Sequence, residues 1–159
     1  MDDVEVYQLV TRHFANALPG ACLHDKLVSL FSQLLGEVDI EDIISTVVCD
    51  FSNLVVAEIG RNYKALGIEF GEIVGAATLI VMLTPHGRVG YVHDVIVDEK
   101  YRGKGIGRKL MQEIIQIAQD NSLKEINLTT NAPKRPNAEA LYLSLGFCKK
   151  PTGFYVLTI

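Results

Sequence analysis

Tyr101-Arg102-Gly103-Lys104-Gly105-Ile106-Gly107 lies between a β-branched run, Tyr91 to Val97, and a segment with helical periodicity. At a helix N-terminus the first backbone N–H groups lack intrahelical partners, and the aligned peptide dipoles add partial positive charge. Glycines let the main chain approach an anion closely and take conformations closed to other residues. A glycine-rich turn at this position is therefore suited to phosphate. Arg102, Lys104, Arg108 and Lys109 add positive charge around it. The nucleotide P-loop pattern is absent, and the dinucleotide pattern Gly-x-Gly-x-x-Gly fails because position 108 is Arg. Taken alone, the hexapeptide Arg102–Gly107 also fits a tight left-handed turn with solvated basic side chains.

Downstream, Ile106, Leu110, Ile114, Ile117 and Ala118 recur on one helical face, with Lys109, Glu113, Gln116 and Asp120 away from it. Asn121-Ser122 is expected to end this helix. Glu125 to Thr129 reads as a strand, and a strand–helix–strand unit favours a parallel pair. Pro136 opens a shorter helix with Ala138, Leu141 and Leu145 inward, stopped by Gly146. Phe154 to Ile159 reads as a closing strand.

Upstream, Leu54 to Ile59, Ile73 to Leu83 and Tyr91 to Val97 read as an antiparallel meander, with a turn at Pro85-His86-Gly87. Val4 to Val10 suggests a first strand. Leu23, Leu27, Leu30, Phe31 and Leu34 recur at helical spacing up to Gly36. Asp39 is a candidate cap for another helix, with Ile43, Ile44, Val47 and Val48 as its apolar face. No repeat or linker interrupts the chain, so one α/β domain over residues 1–159 is expected.

Bulk properties bound the function. The 159 residues are 48% hydrophobic and 21% charged, with net charge −4, which argues against a general nucleic-acid binder. No apolar run is long enough to span a bilayer, and the acidic start Met1-Asp2-Asp3 does not resemble a signal peptide. Cys22, Cys49 and Cys148 match neither a disulfide framework nor a zinc spacing, and are expected to be buried free thiols in a reducing cytoplasm. His13, His24 and His86 show no ligand-like spacing, so no metal is implied.

Two motifs together resemble the GNAT superfamily of N-acetyltransferases. Arg102, Gly105 and Gly107 match its Arg/Gln-x-x-Gly-x-Gly/Ala junction, preceded by Val95-Ile96-Val97-Asp98. Ala138-Glu139-Ala140-Leu141-Tyr142-Leu143-Ser144-Leu145-Gly146-Phe147 matches its later Ala-x-x-Leu-Tyr-x-x-x-Gly-Phe helix. The resemblance covers roughly residues 54–159. It implies a mixed sheet of about six or seven strands, a splayed parallel pair at a coenzyme site and about four helices. It further implies acetyl-CoA as co-substrate. The amides of Arg102, Gly103, Lys104, Gly105, Ile106, Gly107 and Arg108 would hold its pyrophosphate, and Val95, Ile96 and Val97 its pantetheine arm. Where many members carry Asn at the head of the later motif, this chain has Arg135, with Asn137 close by.

The implied chemistry is direct attack of a primary amine on the thioester in a ternary complex, with Tyr142 as proton donor to the leaving thiolate. The base is open between Asp94, His93 and water. Adjacent residues of a regular strand face opposite ways, so at most one of His93 and Asp94 is expected in the cleft. Gly90-Tyr91-Val92-His93-Asp94-Val95 is similar to the Gly-His-x-Glu-Asp-hydrophobic string of glucosamine-6-phosphate N-acetyltransferases, with His93 in place of Glu. Glu58 and Glu72 are expected to be solvated. The acceptor expected first is a small-molecule amine, with no nucleic-acid or membrane partner, and homodimers are common in the family. A protein or peptide amine is the alternative within the same chemistry. A sensor or partner module that binds acetyl-CoA without turnover is the alternative outside it.

Overall fold

The computed structural model describes residues 4–9, 23–37, 41, 52–59, 71–131 and 133–159. In chain order these form β1 (Val4–Leu9), α1 (Leu23–Leu35), β2 (Ser52–Ile59), β3 (Glu72–Thr84), β4 (Gly87–Val97), a 3₁₀ turn (Glu99–Tyr101), α2 (Ile106–Asp120), β5 (Glu125–Leu128) and α3 (Pro136–Ser144). The expected helix after Asp39 lies outside the described residues, apart from Glu41, which is helical, and so do residues 60–70 between β2 and β3. The chain divides into two compact units, Met1–Thr129 and Thr130–Ile159.

The first unit holds one sheet in the order β1-β2-β3-β4-β5, antiparallel through β4 and parallel between β4 and β5. Its two faces are read from the cross-strand register. Val56, Ala76 and Ile96 are partners across three strands and pack with Leu27, Leu30 and Phe31 of α1. Gly75 pairs with Ala57 and Val97 and faces the other way, where a Cβ would meet Leu110 Cδ1 at 3.0 Å and Ile106 Cγ2 at 3.2 Å. A glycine is what allows α2 to seat so closely there. The α2 stripe of Ile106, Leu110, Ile114, Ile117 and Ala118 is buried as its spacing predicts, joined by Met111. Full burial of one such Leu or Ile is worth roughly 1.5–3 kcal/mol, so this stripe fixes the helix on the sheet.

Among the described residues there are five strands and three α-helices, and the fourth expected helix falls outside them. Several expectations are corrected. Phe154 to Ile159 forms no strand and is exposed throughout, Tyr155 at 92%. β-branched and aromatic side chains favour a strand only when another strand supplies ladder partners. Here the chain instead bends, with Thr152 N–H donating to Lys150 O at 2.9 Å. Cys148 is an exposed free thiol, not a buried one. Glu58 is only 1% exposed rather than solvated. Its carboxylate accepts from the Tyr7 hydroxyl at 2.5 Å and from the Gly71 N–H, which compensates its removal from water. Glu72 is exposed, as expected.

Candidate active site

β4 carries a fault in its ladder. Ala76 pairs with Ile96 and Thr78 with His93, so Asp94 and Val95 together oppose Ala77. This is a β-bulge, and Asp94 adopts φ +52° to make it. A one-residue insertion reverses which face the following residues show. Val92 pairs with Leu79 on the α2 side, whereas Ile96 lies under α1. The rule that His93 and Asp94 must face opposite ways assumed a regular strand, and the bulge removes it. His93 is exposed and Asp94 half-buried.

The bulge coincides with the end of the parallel pairing. β5 follows β4 from Val89–Glu125 to Val92–Leu128 and no further, while β4 continues to Val97. Main-chain groups of residues 93–97 on that side thus have no ladder partner among the described residues. Tyr91 and His93 share the sheet face of α1, because the Leu54–Thr78–His93 ladder belongs to it. Their rings stack 6.4 Å apart at 25°.

Beyond Val97 the Asp98 carboxylate caps the 3₁₀ turn by accepting from Lys100 N–H at 2.9 Å. A hydrogen bond from the Gln33 side chain holds that carboxyl below the usual carboxylate range. Partial burial opposes this, and the Lys100 N–H and the charges of Lys100 and Arg102 reinforce it. Gly103 and Gly105 then take φ +77° and +80°, a region unfavourable to residues with a Cβ, and a Cβ at either would meet no atom within 4 Å. The first bonds of α2 run from Arg108 and Lys109 N–H to Gly105 O, both 3.1 Å. The N–H groups of Gly105, Ile106 and Gly107 precede them, at a helix N-terminus suited by its dipole to an anion.

Arg102, Lys104 and Lys109 of the basic cluster are engaged within the fold. Arg102 donates to Val97 O at 3.1 Å and pairs with Glu99 at 3.3 Å. Lys104 Nζ sits 4.6 Å above the Tyr101 ring, and Lys109 donates to Val4 O at 3.2 Å. Backbone N–H groups, rather than this basic cluster, are the principal donors the turn offers.

The second unit carries the other motif. In α3, Tyr142 is buried, and its ring meets Phe147 edge-on at 6.0 Å. Burial pushes its phenol above the ordinary value, and the Arg135 charge partly opposes this. The phenol is therefore in its protonated, donating form at neutral pH. Arg135 stands at the N-cap without a side-chain cap bond, and Asn137 in the first turn is exposed.

Residues 42–147 match the model of the acetyltransferase (GNAT) family. The chain belongs to that family. Over 80 residues it is 35% identical to glucosamine 6-phosphate N-acetyltransferase of Trypanosoma brucei brucei, covering 48% of this chain and 52% of that protein. It spans between 36% and 59% of the length of the curated relatives it matches. An aminoglycoside acetyltransferase from an uncultured soil metagenomic sample, solved with trehalose, shares the fold at TM-score 0.72 and 18% identity, covering 98% of this chain and 97% of that one. Ribosomal-protein-alanine N-acetyltransferase of Brucella melitensis biovar Abortus 2308 does so at 0.72 and 18%, covering 99% of each. The same fold thus accompanies enzymes named for acceptors as different as an aminoglycoside and a ribosomal-protein alanine, so the fold does not fix the acceptor.

Among the described residues no helix is long and apolar enough to cross a membrane, and no His, Cys, Asp and Glu cluster suits a metal ion. Residues 93–97 and 98–107 are one continuous stretch of the first unit, running from the β4 bulge to the start of α2. Sequence reasoning missed the parts that shape it: the bulge, the Asp98 cap and the Gln33 contact.

Proposed function

We propose that this GNAT chain is an acetyl-CoA-dependent N-acetyltransferase acting on a primary amine of a small molecule, by direct attack in a ternary complex. The observation that carries this is the broken edge of β4 running straight into the Gly103–Gly107 turn at the start of α2. Acetyl-CoA presents a pyrophosphate, a strand-like amide arm and a thioester in that order. The chain presents open helix-terminal N–H groups, a strand edge lacking a ladder partner among the described residues, and a bulge in the matching order.

Three tasks follow for the chain's own groups. A backbone N–H at the Asp94–Val95 bulge donates to the thioester oxygen as it gains negative charge, and being fixed it needs no reorganisation. Asp94 attracts the acceptor's ammonium and takes its proton, directly or through water, with His93 the neighbouring alternative. An alkyl amine has a pKa of about 10.4 in water, so at neutral pH only a small fraction is nucleophilic without such help. Tyr142, assigned on the family motif, protonates the departing thiolate. The small-molecule acceptor is supported by the similarity to the Trypanosoma enzyme and by an exposed Tyr91–His93 pair beside the bulge.

The test is release of free thiol from acetyl-CoA across amino sugars, polyamines, aminoglycosides, amino acids and peptides. Turnover with a small amine supports the proposal. Turnover confined to peptides overturns its acceptor half, and coenzyme binding without any turnover overturns the reaction.

A further inference from the structure

The last turn of α1 reaches the segment that launches the phosphate turn. Gln33 Nε2 donates to Asp98 Oδ2 at 2.8 Å, and Glu99 N–H donates to Gln33 Oε1 at 3.4 Å. One amide therefore bridges the capping carboxylate and the first N–H of the 3₁₀ turn. The same segment is tied to β3 at two further points. Asp98 N–H donates to Val74 O at 2.9 Å, and the Tyr101 hydroxyl donates to Glu72 Oε2 at 2.7 Å. Of these ties only Gln33 comes from a different layer of the fold. It sits on the helix whose Leu27, Leu30 and Phe31 pack on the sheet face shared by His93.

We infer that Gln33 is a positioning residue for the pyrophosphate turn, latching α1 to Asp98–Glu99 so that Gly103–Gly107 holds its phosphate-binding conformation. The inference rests on the acetyl-CoA proposal above. Its basis is geometric. Both amide atoms are used, each on a different backbone or side-chain group of the turn, and no packing role accounts for them because Gln33 is exposed. Hydrogen bonds in water contribute modestly, so the latch tunes coenzyme affinity and leaves the fold intact.

The test compares wild type, Q33L and Q33E, titrated with coenzyme A and with pantetheine, which lacks the pyrophosphate. Q33L is expected to raise the Kd for coenzyme A about three- to tenfold. The Kd for pantetheine, the unliganded Tm and kcat at saturating acetyl-CoA should stay as in wild type. Q33E keeps an acceptor for Glu99 N–H but sets a carboxylate against Asp98, and should weaken coenzyme A at least as much. Equal losses for both ligands, or no loss for either variant while wild type binds coenzyme A, overturn the latch. Failure of both variants to fold overturns it too, assigning Gln33 to the fold. Failure of wild type to bind coenzyme A instead removes the underlying acetyl-CoA proposal, and the latch with it.

Discussion

Along β4, residues 89–92 pair with β3 on one side and β5 on the other, whereas residues 93–97 keep only the β3 partner and carry the bulge. Apart from the polar pair His93-Asp94, the two halves are similar in residue type: Val89-Gly90-Tyr91-Val92 against His93-Asp94-Val95-Ile96-Val97. They differ in what their main chain does. In the first half the backbone groups are used in the ladder and the side chains decide packing. In the second, one register fault and the end of the β5 pairing leave backbone groups without a ladder partner among the described residues, and Asp94 takes a φ of +52°. The function proposed for this strand rests on unpaired backbone more than on reactive side chains.

Substitutions can break or sharpen this contrast. The largest effect is expected at Tyr142, proposed as the proton donor on the family motif. A thiol leaves with a pKa near 8.5, already a fair leaving group, so Y142F should lower kcat by about 10- to 100-fold, at the lower end of general-acid effects. Coenzyme Kd by titration should not change. Because burial raises the phenol, the folded state holds the proton more tightly than the unfolded chain. The associated stability is complete below about pH 10 and is lost as pH rises through the folded value, and no alkaline limb of wild-type kcat should arise from this residue below about pH 10.

A smaller effect, with a pH signature, is expected in the irregular half. D94N keeps a residue that tolerates positive φ, so Tm should hold. Turnover at pH 7 should fall about tenfold, and the deficit should shrink as pH approaches the acceptor's own pKa, where the amine is neutral without assistance. A deficit constant with pH would take the proton from Asp94 and leave it to water or His93.

The regular half should respond in stability alone. At Gly90 a Cβ would lie 2.8 Å from Leu123 Cδ2 and 2.9 Å from Leu79 Cδ1, so G90A should cost about 1–3 kcal/mol in denaturant unfolding through overpacking. Its kcat per folded molecule should equal wild type. A loss of kcat would mean that the two halves of β4 are not separable as described.

What the sequence made legible was local. The Gly103–Gly107 turn, the buried stripe of α2 and the Pro136 start of α3 each follow from residue type at fixed spacing, and each is found. What it hid depended on contacts between distant residues. Glu58 looked solvated because its partner Tyr7 lies 51 positions away. Gln33 and Asp98 are 65 apart. The C-terminal run Phe154 to Ile159 has strand composition, yet composition cannot supply a neighbour. The bulge left one trace: two consecutive polar residues, His93-Asp94, inside an otherwise apolar run break the period of two.

The most direct measurement is thermal unfolding of wild type and G105E with and without saturating acetyl-CoA. At a hundred times Kd, a ligand specific for the folded state adds about 2.7 kcal/mol, raising Tm by about 5–10 °C in a domain of this size. In G105E a Cβ is forced into φ +80° and a carboxylate is placed at the phosphate position, so the shift should vanish. A wild-type Tm indifferent to acetyl-CoA, or a G105E shift equal to wild type, would contradict the assignment of the Tyr101–Gly107 turn as the coenzyme site.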